Sequence, residues 1–323
     1  MRPVKKTCEQ YKNQKVALAI GIFDGLHRGH QRIIKGLVAE SEIRHVKSLV
    51  VTFHPHPRKV LNPRSKTLLL LSLDHRLKLI KEMGVDRVSV IRFTRKLSSM
   101  SPDDFIREVL IRRFNVKTLV VGRNFLFGQG HKGDFVFLKK MGRKYGFRVI
   151  GVKPVKLKNK NISSTRIRKT IESSDLKNAA LMLARPVTVL GTVVRGRRVG
   201  RKLGFPTANI NPHHEAIPQS GVYAVDVMLL NKKYRGILNI GTRPTFGKGA
   251  EPTIELHIFN FNKNIYGKDI EIIFNRKIRN EKRFSSIEAL KRQIQKDISI
   301  VLSKRSASKD ISNCPICSTH RLS

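Results

Sequence analysis

The sequence changes its period at Arg185-Pro186, and that change limits the chain to two differently built halves. Before it, apolar runs alternate with stretches in helical register. Residues 16–20, 49–53, 88–91, 116–121 and 149–155 read as strands. A helical pattern opens at Gln31, with Ile33, Ile34, Leu37 and Val38 on one stripe. Residues 72–83 read as a second helix, with Leu73, Leu77 and Ile80 on one side. Ser101-Pro102-Asp103-Asp104 announces another through an N-cap serine, a proline at N1 and acids in the first turn. Residues 177–185 predict a small closing helix. Such alternation predicts a doubly wound parallel sheet, with ligands beyond the carboxyl ends of its strands. After Pro186, strand patterns at 187–194, 221–230, 234–240, 253–259 and 270–274 follow one another across Gly, Pro and Asn turns. That pattern predicts a small antiparallel barrel. A single helix over 286–302 comes last, and its Ile287, Leu290, Ile294, Ile298 and Val301 stripe predicts packing on the barrel.

At 323 residues the chain is long enough for two domains, each with its own core. No apolar run approaches the roughly 20 residues of a membrane span. Residues 1–15 carry charge but no apolar core, which argues against a secretory signal. Three cysteines predict a reducing compartment, the cytoplasm, and no disulfide framework. Cys314, Cys317 and His320 give at most three ligands in the tail, where structural zinc needs four. The net charge of +42 is spread over both halves, with 41 basic and 13 acidic residues up to Arg185 and 24 and 10 after it. A field of this sign attracts anionic nucleotides, and also RNA and acidic membranes. No nucleic-acid recognition motif accompanies it, so the excess reads as solvated surface charge.

Six segments carry chemistry. In VALAIGIFDGLHRGH the first strand runs into Gly21, Phe23, Asp24, Gly25, His27, Gly29 and His30, a glycine turn with two imidazoles at a helix start. A helix N-terminus favours phosphate, and histidines there can donate to phosphate oxygens. The same residues also fit a tight turn whose histidines cap the helix. HPHPR, with Pro55 and Pro57, reads as a rigid loop. GRNFLFG holds Asn124 and Gly128 after a strand, and SSTRIR sets Ser163, Ser164, Thr165 and Arg168 at a helix start, a good polyphosphate clamp. GRKLGFPTAN, with Gly200, Gly204, Pro206, Thr207 and Asn209, has the composition of a phosphate loop but is not a Walker A sequence. TIELHIFNF alternates so that Glu255, His257 and Phe259 share one face, where Glu255 fits either a base or a paired surface acid.

H-x-G-H after such a strand resembles the nucleotidyltransferase superfamily. With the three following motifs in order, the chain resembles the bifunctional bacterial riboflavin kinase/FAD synthetases over residues 14–303. The resemblance implies an FMN adenylyltransferase domain over 14–185 and a riboflavin kinase barrel over 186–303, followed by a tail over 304–323 expected to be disordered. It implies riboflavin, FMN and ATP as substrates, with Mg²⁺ held by Thr207 and Asn209. Glu255 becomes the kinase base. His27, His30, Ser163, Ser164, Thr165 and Arg168 grip the polyphosphate of the second reaction. Pro55, Pro57, Asn124 and Gly128 line the nucleotide and flavin site, and Arg279 belongs to a flavin-side loop. Many relatives carry Asp where Asn124 stands, which leaves a kinase with a weakened adenylyltransferase as the alternative. A nucleic-acid-binding protein on an enzyme-like fold is the reading from another class. No membrane and no specific nucleic acid are expected as partners, and the chain is expected to be a monomer or a weak homo-oligomer.

Overall fold

The computed structural model describes residues 14–64, 68–196, 200, 203–213, 215–242 and 252–303. The tail with Cys314, Cys317 and His320 lies outside them, as do Cys8, Arg201 and Lys202. The described residues fall into two compact units. The first takes residues 14–64 and Leu73–Ser163; the second takes Leu68–Ser72 and residues 164–303.

The first unit is a five-stranded parallel sheet in the order β3-β2-β1-β4-β5. Its strands are β1 (Val16–Ile20), β2 (Lys47–His54), β3 (Arg87–Arg92), β4 (Val116–Gly122) and β5 (Arg148–Val152). β1 is buried along its whole length, as a central strand covered on both faces must be. Helix α1 (Arg28–Ile43) follows β1, and α2 (Pro57–Leu61) and α3 (Leu73–Lys81) follow β2. α4 (Arg95–Ser98) and α5 (Pro102–Asp104) come next, and α5 runs on into a π-helical stretch, Phe105–Arg113. The expected Ser101 cap is present: its hydroxyl accepts from the Asp104 N–H at 3.1 Å. α6 (Phe135–Tyr145) lies between β4 and β5 and ends on the left-handed Gly146. The predicted strand over 149–155 stops at Val152, and the chain turns into a small hairpin, β6 (Lys156–Leu157) and β7 (Lys160–Asn161). Leu18, Leu49, Phe105, Leu110, Leu119 and Leu138 centre one core of this unit.

The second unit opens with α7 (Ser164–Glu172) and α8 (Leu176–Leu183). A closed six-stranded barrel follows, ordered β10-β11-β12-β9-β8-β13. Its strands are β8 (Thr188–Val194), β9 (Ala208–Asn211), β10 (Gly221–Leu229), β11 (Lys232–Thr242), β12 (Pro252–Ile258) and β13 (Asp269–Arg279). Antiparallel pairing runs round the ring, so the barrel exposes no sheet edge. The expected stripe of α9 (Ile287–Ser303) is only partly buried. Val301 packs on Val222, Ala224 and Ile237, while Ile287 is exposed. The carboxyl end of α9 is held instead by charge. Arg276 donates to the Ile300 carbonyl at 2.9 Å and Arg235 to that of Val301.

Glu215 ties this unit to residues 68–72. Its buried carboxylate accepts from the Ser72 N–H at 2.6 Å and the Leu190 N–H at 3.1 Å. Removing it strands two buried amides, so Glu215→Ala should destabilise the second unit by about 2–4 kcal/mol. Glu215→Gln should recover part of that loss, because its amide oxygen still accepts. Urea unfolding followed by barrel-specific fluorescence or hydrogen exchange checks both; equal stability of all three proteins would refute the role.

Candidate active site

In the order β3-β2-β1-β4-β5, the chain reverses direction across the sheet between β1 and β4. The crevice beyond the carboxyl ends of such a pair is where open α/β sheets bind ligands. The loops after β1 and β4 hold Gly21–His30 and Gly122–Gly130, so the strand order itself delivers them to that crevice.

The β1 turn is conformationally costly. Phe23, Gly25 and Leu26 all have positive φ, at 52°, 84° and 42°. Only the glycine adopts this without strain. The Phe23 ring folds back over Gly21, and both Phe23 and Asp24 are buried. His27 then serves as N-cap of α1: its Nδ1 accepts from the His30 N–H at 3.4 Å. A Cβ on Gly29 would lie 3.2 Å from the His27 ring, so residue 29 must be small for that cap to sit. The rings of His27 and His30 stack at 3.7 Å between centroids, and the edge of Phe23 meets His30 at 5.3 Å. Helix capping and presentation of two imidazoles are therefore one arrangement, not alternatives.

His30 is held neutral. Burial lowers its pKa well below the ordinary imidazole value, and the neighbouring charges of His27 and Arg76 add to the effect. Its Nδ1 is buried with no hydrogen-bond partner among the described residues. Arg76 was not legible as a site residue: in LDHRLKLIK it reads as a solvated position on α3. The structure buries it and aims it at the strand ends. Its guanidinium donates to the Ile22 carbonyl at 2.5 Å and the Phe53 carbonyl at 3.0 Å.

HPHPR is not simply a rigid loop. His56 caps α2, accepting from the Arg58 N–H through Nδ1 at 3.1 Å, and Pro57 occupies the first helical turn. Pro55 sits between His54, the last residue of β2, and this cap. After β4, Asn124 is exposed, with its side chain folded toward Gly122, and Gly128 packs against Pro102. Ser163 ends the first unit, whereas Ser164, Thr165 and the buried Arg168 belong to α7 of the second.

In the barrel, strand register gathers the second set. Glu255 on β12 lies directly opposite Asn209 on β9 and Asn239 on β11, so the three side chains form a row on one face. Ile254, Leu256 and Ile258 take the buried positions of β12, which leaves Glu255, His257 and Phe259 half-buried on the other face. This is the alternation expected from the sequence. His257 donates from Nδ1 to the Pro206 carbonyl at 2.8 Å and meets Phe205 edge-on, which ties the Pro206-Thr207-Ala208-Asn209 segment to β12. Gly200 turns close against Thr207, where a Cβ would come within 2.9 Å of the Thr207 hydroxyl. Gly204 is exposed with φ of 89°. Sequence reasoning missed Asn239, which sits in a run legible only as strand, and missed that Ala208 and Asn209 already belong to one. Arg279 is engaged structurally: it pairs with the buried Asp297 of α9 at 2.9 Å and lies over Phe284.

A cavity of about 440 Å³ lies against the Pro206–Ala208 segment on the Leu256 side of β12, walled by Val193, Thr207, Leu256, Ile258, Phe261 and Tyr266 among others. Its size and its mix of apolar walls with a few polar groups suit a nucleotide-sized ligand. Among the described residues, no group of three or more His, Cys, Asp and Glu could hold a metal. The hard oxygens of Thr207 and Asn209 instead suit a cation that shares its shell with phosphates and water, as Mg²⁺ does.

Fold and site together define a two-unit protein with one candidate phosphate loop at a parallel-sheet switch point and another on a closed barrel. Comparison with known proteins agrees. The family pattern described as FAD synthetase matches residues 9–166, and that described as riboflavin kinase matches 183–304. A bifunctional riboflavin kinase/FMN adenylyltransferase of Buchnera aphidicola subsp. Schizaphis graminum is 39% identical over 292 residues, covering 90% of this chain and 94% of its own. The enzyme of that description from Escherichia coli K12 is 37% identical, covering 89% and 92%. A Streptococcus pneumoniae crystal structure described as a macrolide-efflux protein superposes with a TM-score of 0.82 at 30% identity, covering 93% of this chain and 98% of that one. Among the described residues no helix is long and apolar enough to cross a membrane. The chain belongs to the bifunctional riboflavin kinase/FMN adenylyltransferase family.

A polyphosphate brought up to His30 favours its charged form and raises its lowered pKa. Binding of inorganic tripolyphosphate should therefore take up protons on the acid side of the ordinary imidazole range, above the lowered pKa of free His30. Calorimetry in buffers of different ionisation enthalpy measures this uptake, and His30→Ala should reduce it. Identical uptake by both proteins would mean that His30 does not face the anion.

Proposed function

We infer that this chain makes FMN and then FAD. The second unit transfers the γ-phosphoryl group of ATP to the 5′-hydroxyl of riboflavin, releasing ADP. The first performs the attack of an FMN phosphate oxygen on the α-phosphorus of a second ATP, and pyrophosphate leaves. The adenylyltransferase domain spans residues 14–185 and the kinase domain 186–303 on this reading, although α7 and α8 cluster with the second unit, and the reaction takes place in the cytoplasm where ATP is supplied.

The observation that carries the kinase half is the cross-strand pair of Glu255 and Asn209. Phosphoryl transfer asks the protein chiefly to position its reactants and neutralise charge. Glu255 orients the flavin hydroxyl and accepts its proton. Thr207 and Asn209 would hold Mg²⁺, which neutralises phosphate charge when bound. The cavity that Thr207, Leu256, Ile258, Phe261 and Tyr266 line takes the base of ATP.

For adenylyl transfer, no covalent intermediate is needed. His27 and His30 present their rings from a helix start, where backbone amides also favour an anion. They hold the polyphosphate and stabilise the charge that gathers as pyrophosphate departs. Ser163, Ser164, Thr165 and Arg168 take the role of phosphate ligands that the resemblance gives them. Asn124 keeps the hydrogen-bonding capacity of the more usual aspartate but not its charge.

A chromatographic time course with riboflavin, ATP and Mg²⁺ tests both halves. The expected sequence is riboflavin to FMN to FAD. Glu255→Ala should slow FMN formation by about 10²–10⁴-fold and leave FMN adenylylation intact. His30→Ala should do the reverse. FMN accumulating in the wild type, with none converted when FMN is supplied directly, would favour a kinase alone. Loss of both activities together in either folded variant would argue against two separate sites.

A further inference from the structure

We propose that Arg76 is a positioning residue for adenylyl transfer: its guanidinium spans the Ile22 and Phe53 carbonyls and so holds the β1 turn in the form that presents His27 and His30. This rests on the reading of the first unit as the adenylyltransferase.

The geometry is that of a built clamp. Ile22 is the residue just before the left-handed Phe23, and its carbonyl accepts from two donors. One is Arg76 at 2.5 Å, and the other is the Thr52 hydroxyl at 3.0 Å. Phe53 lies near the end of the neighbouring strand β2, and its carbonyl takes the other arm of the fork at 3.0 Å. The two strand ends that open the crevice are therefore fixed to one planar group. A guanidinium suits this because its donors are held rigidly apart, whereas an ammonium is a single point on a flexible stem. Carbonyl acceptors could serve a neutral donor just as well, so hydrogen bonding alone does not call for a buried charge here. Arg76 is 4% exposed, and its Nε has no hydrogen-bond partner among the described residues.

The turn needs such a hold. Phe23 and Leu26 sit in a region that side chains disfavour, and the backbone must be over-determined to keep them there. Release of Ile22 would let the turn relax, and His27 would lose its place as N-cap. His30, stacked on His27, would move with it.

The charge also bears on the imidazoles. The groups facing His30 are His27, Phe23 and Arg76. Asp24 is the acid whose charge acts on Arg76, and at the end of β2 His54 feels Arg76, Lys59 and Asp74. The guanidinium opposes protonation of both His30 and His54, with desolvation the larger cause in each case.

The test uses the full chain with Arg76→Met and Arg76→Lys. FMN formation from riboflavin serves as an internal control for folding of the second unit. Arg76→Met should lower kcat for FAD formation about 100-fold, with KM for ATP changed much less, as expected when geometry rather than binding is lost. Arg76→Lys keeps the charge but not the fork, and should fall between the two. NMR titration of the histidines supplies a readout that a merely structural role would not move. The His30 pKa should rise in Arg76→Met, while desolvation and His27 still hold it below the ordinary value, and should not rise in Arg76→Lys. That titration needs no activity, so it reads on Arg76 even if the wild type makes no FAD, an outcome that would overturn the assigned reaction instead. If Arg76→Met fails to fold, Arg76→Lys decides by its kcat: an unchanged value overturns the proposal, and a loss in kcat at constant KM supports it. Folded Arg76→Met with wild-type kcat, or with an unmoved His30 titration, would also overturn it.

Discussion

Backbone register places the candidate site residues of this protein. In the first unit, β1 is hydrogen-bonded on both sides, to β2 and β4, and all its residues are buried. The position of Gly21 is therefore settled before any property of the glycine turn matters. In the second, the pairing of β12 with β9 and β11 sets Glu255 between two asparagines. A slip by one residue would turn Glu255 into the barrel and Leu256 out of it. Burial of Ile254, Leu256 and Ile258 opposes that slip, so apolar packing inside the ring holds the acid on its outer face.

The two candidate sites are built from opposite groups. The barrel offers a carboxylate flanked by neutral amides, which can accept a proton and share a cation. The sheet offers imidazoles at a helix start, which can donate to phosphate and gain charge as an anion arrives. Each suits its step. A flavin hydroxyl must lose a proton to become a nucleophile, whereas the phosphate of FMN is already an anion and needs no base.

The sequence made most of this legible because its strongest signals are local. Alternation along β12 depends on a period of two, and the Ser101 cap depends on a few adjacent residues. The closing of the barrel, by contrast, brings β13 beside β10, far apart in sequence, and no short motif records it. The same limit hid Arg76. Its meaning lies in two carbonyls contributed by Ile22 and Phe53, and backbone atoms leave no trace in a side-chain pattern. Asn239 was hidden differently, since its partner Glu255 is set by pairing rather than by spacing. The α9 stripe misled because Ile287 has helical period but extends beyond the surface that the barrel offers. HPHPR reads as a rigid loop because its prolines fix φ, yet the same fixed φ also starts a helix.

The excess of basic residues bears on the imidazoles as well. A field of net charge +42 draws nucleotides toward any cleft, so attraction need not come from the groups that touch the reacting phosphate. Burial makes a protonated His30 expensive, and the neighbouring His27 and Arg76 add to that cost. His30 is therefore held uncharged, its Nδ1 without a partner among the described residues, in a protein that supplies positive charge almost everywhere else. On the proposed function a bound polyanion would reverse that balance locally, so the positive charge at this point would appear with the substrate rather than before it. A permanently charged lysine in the same position would hold substrate and transition state alike, whereas a group that gains its proton with the arriving charge can respond to the difference between them.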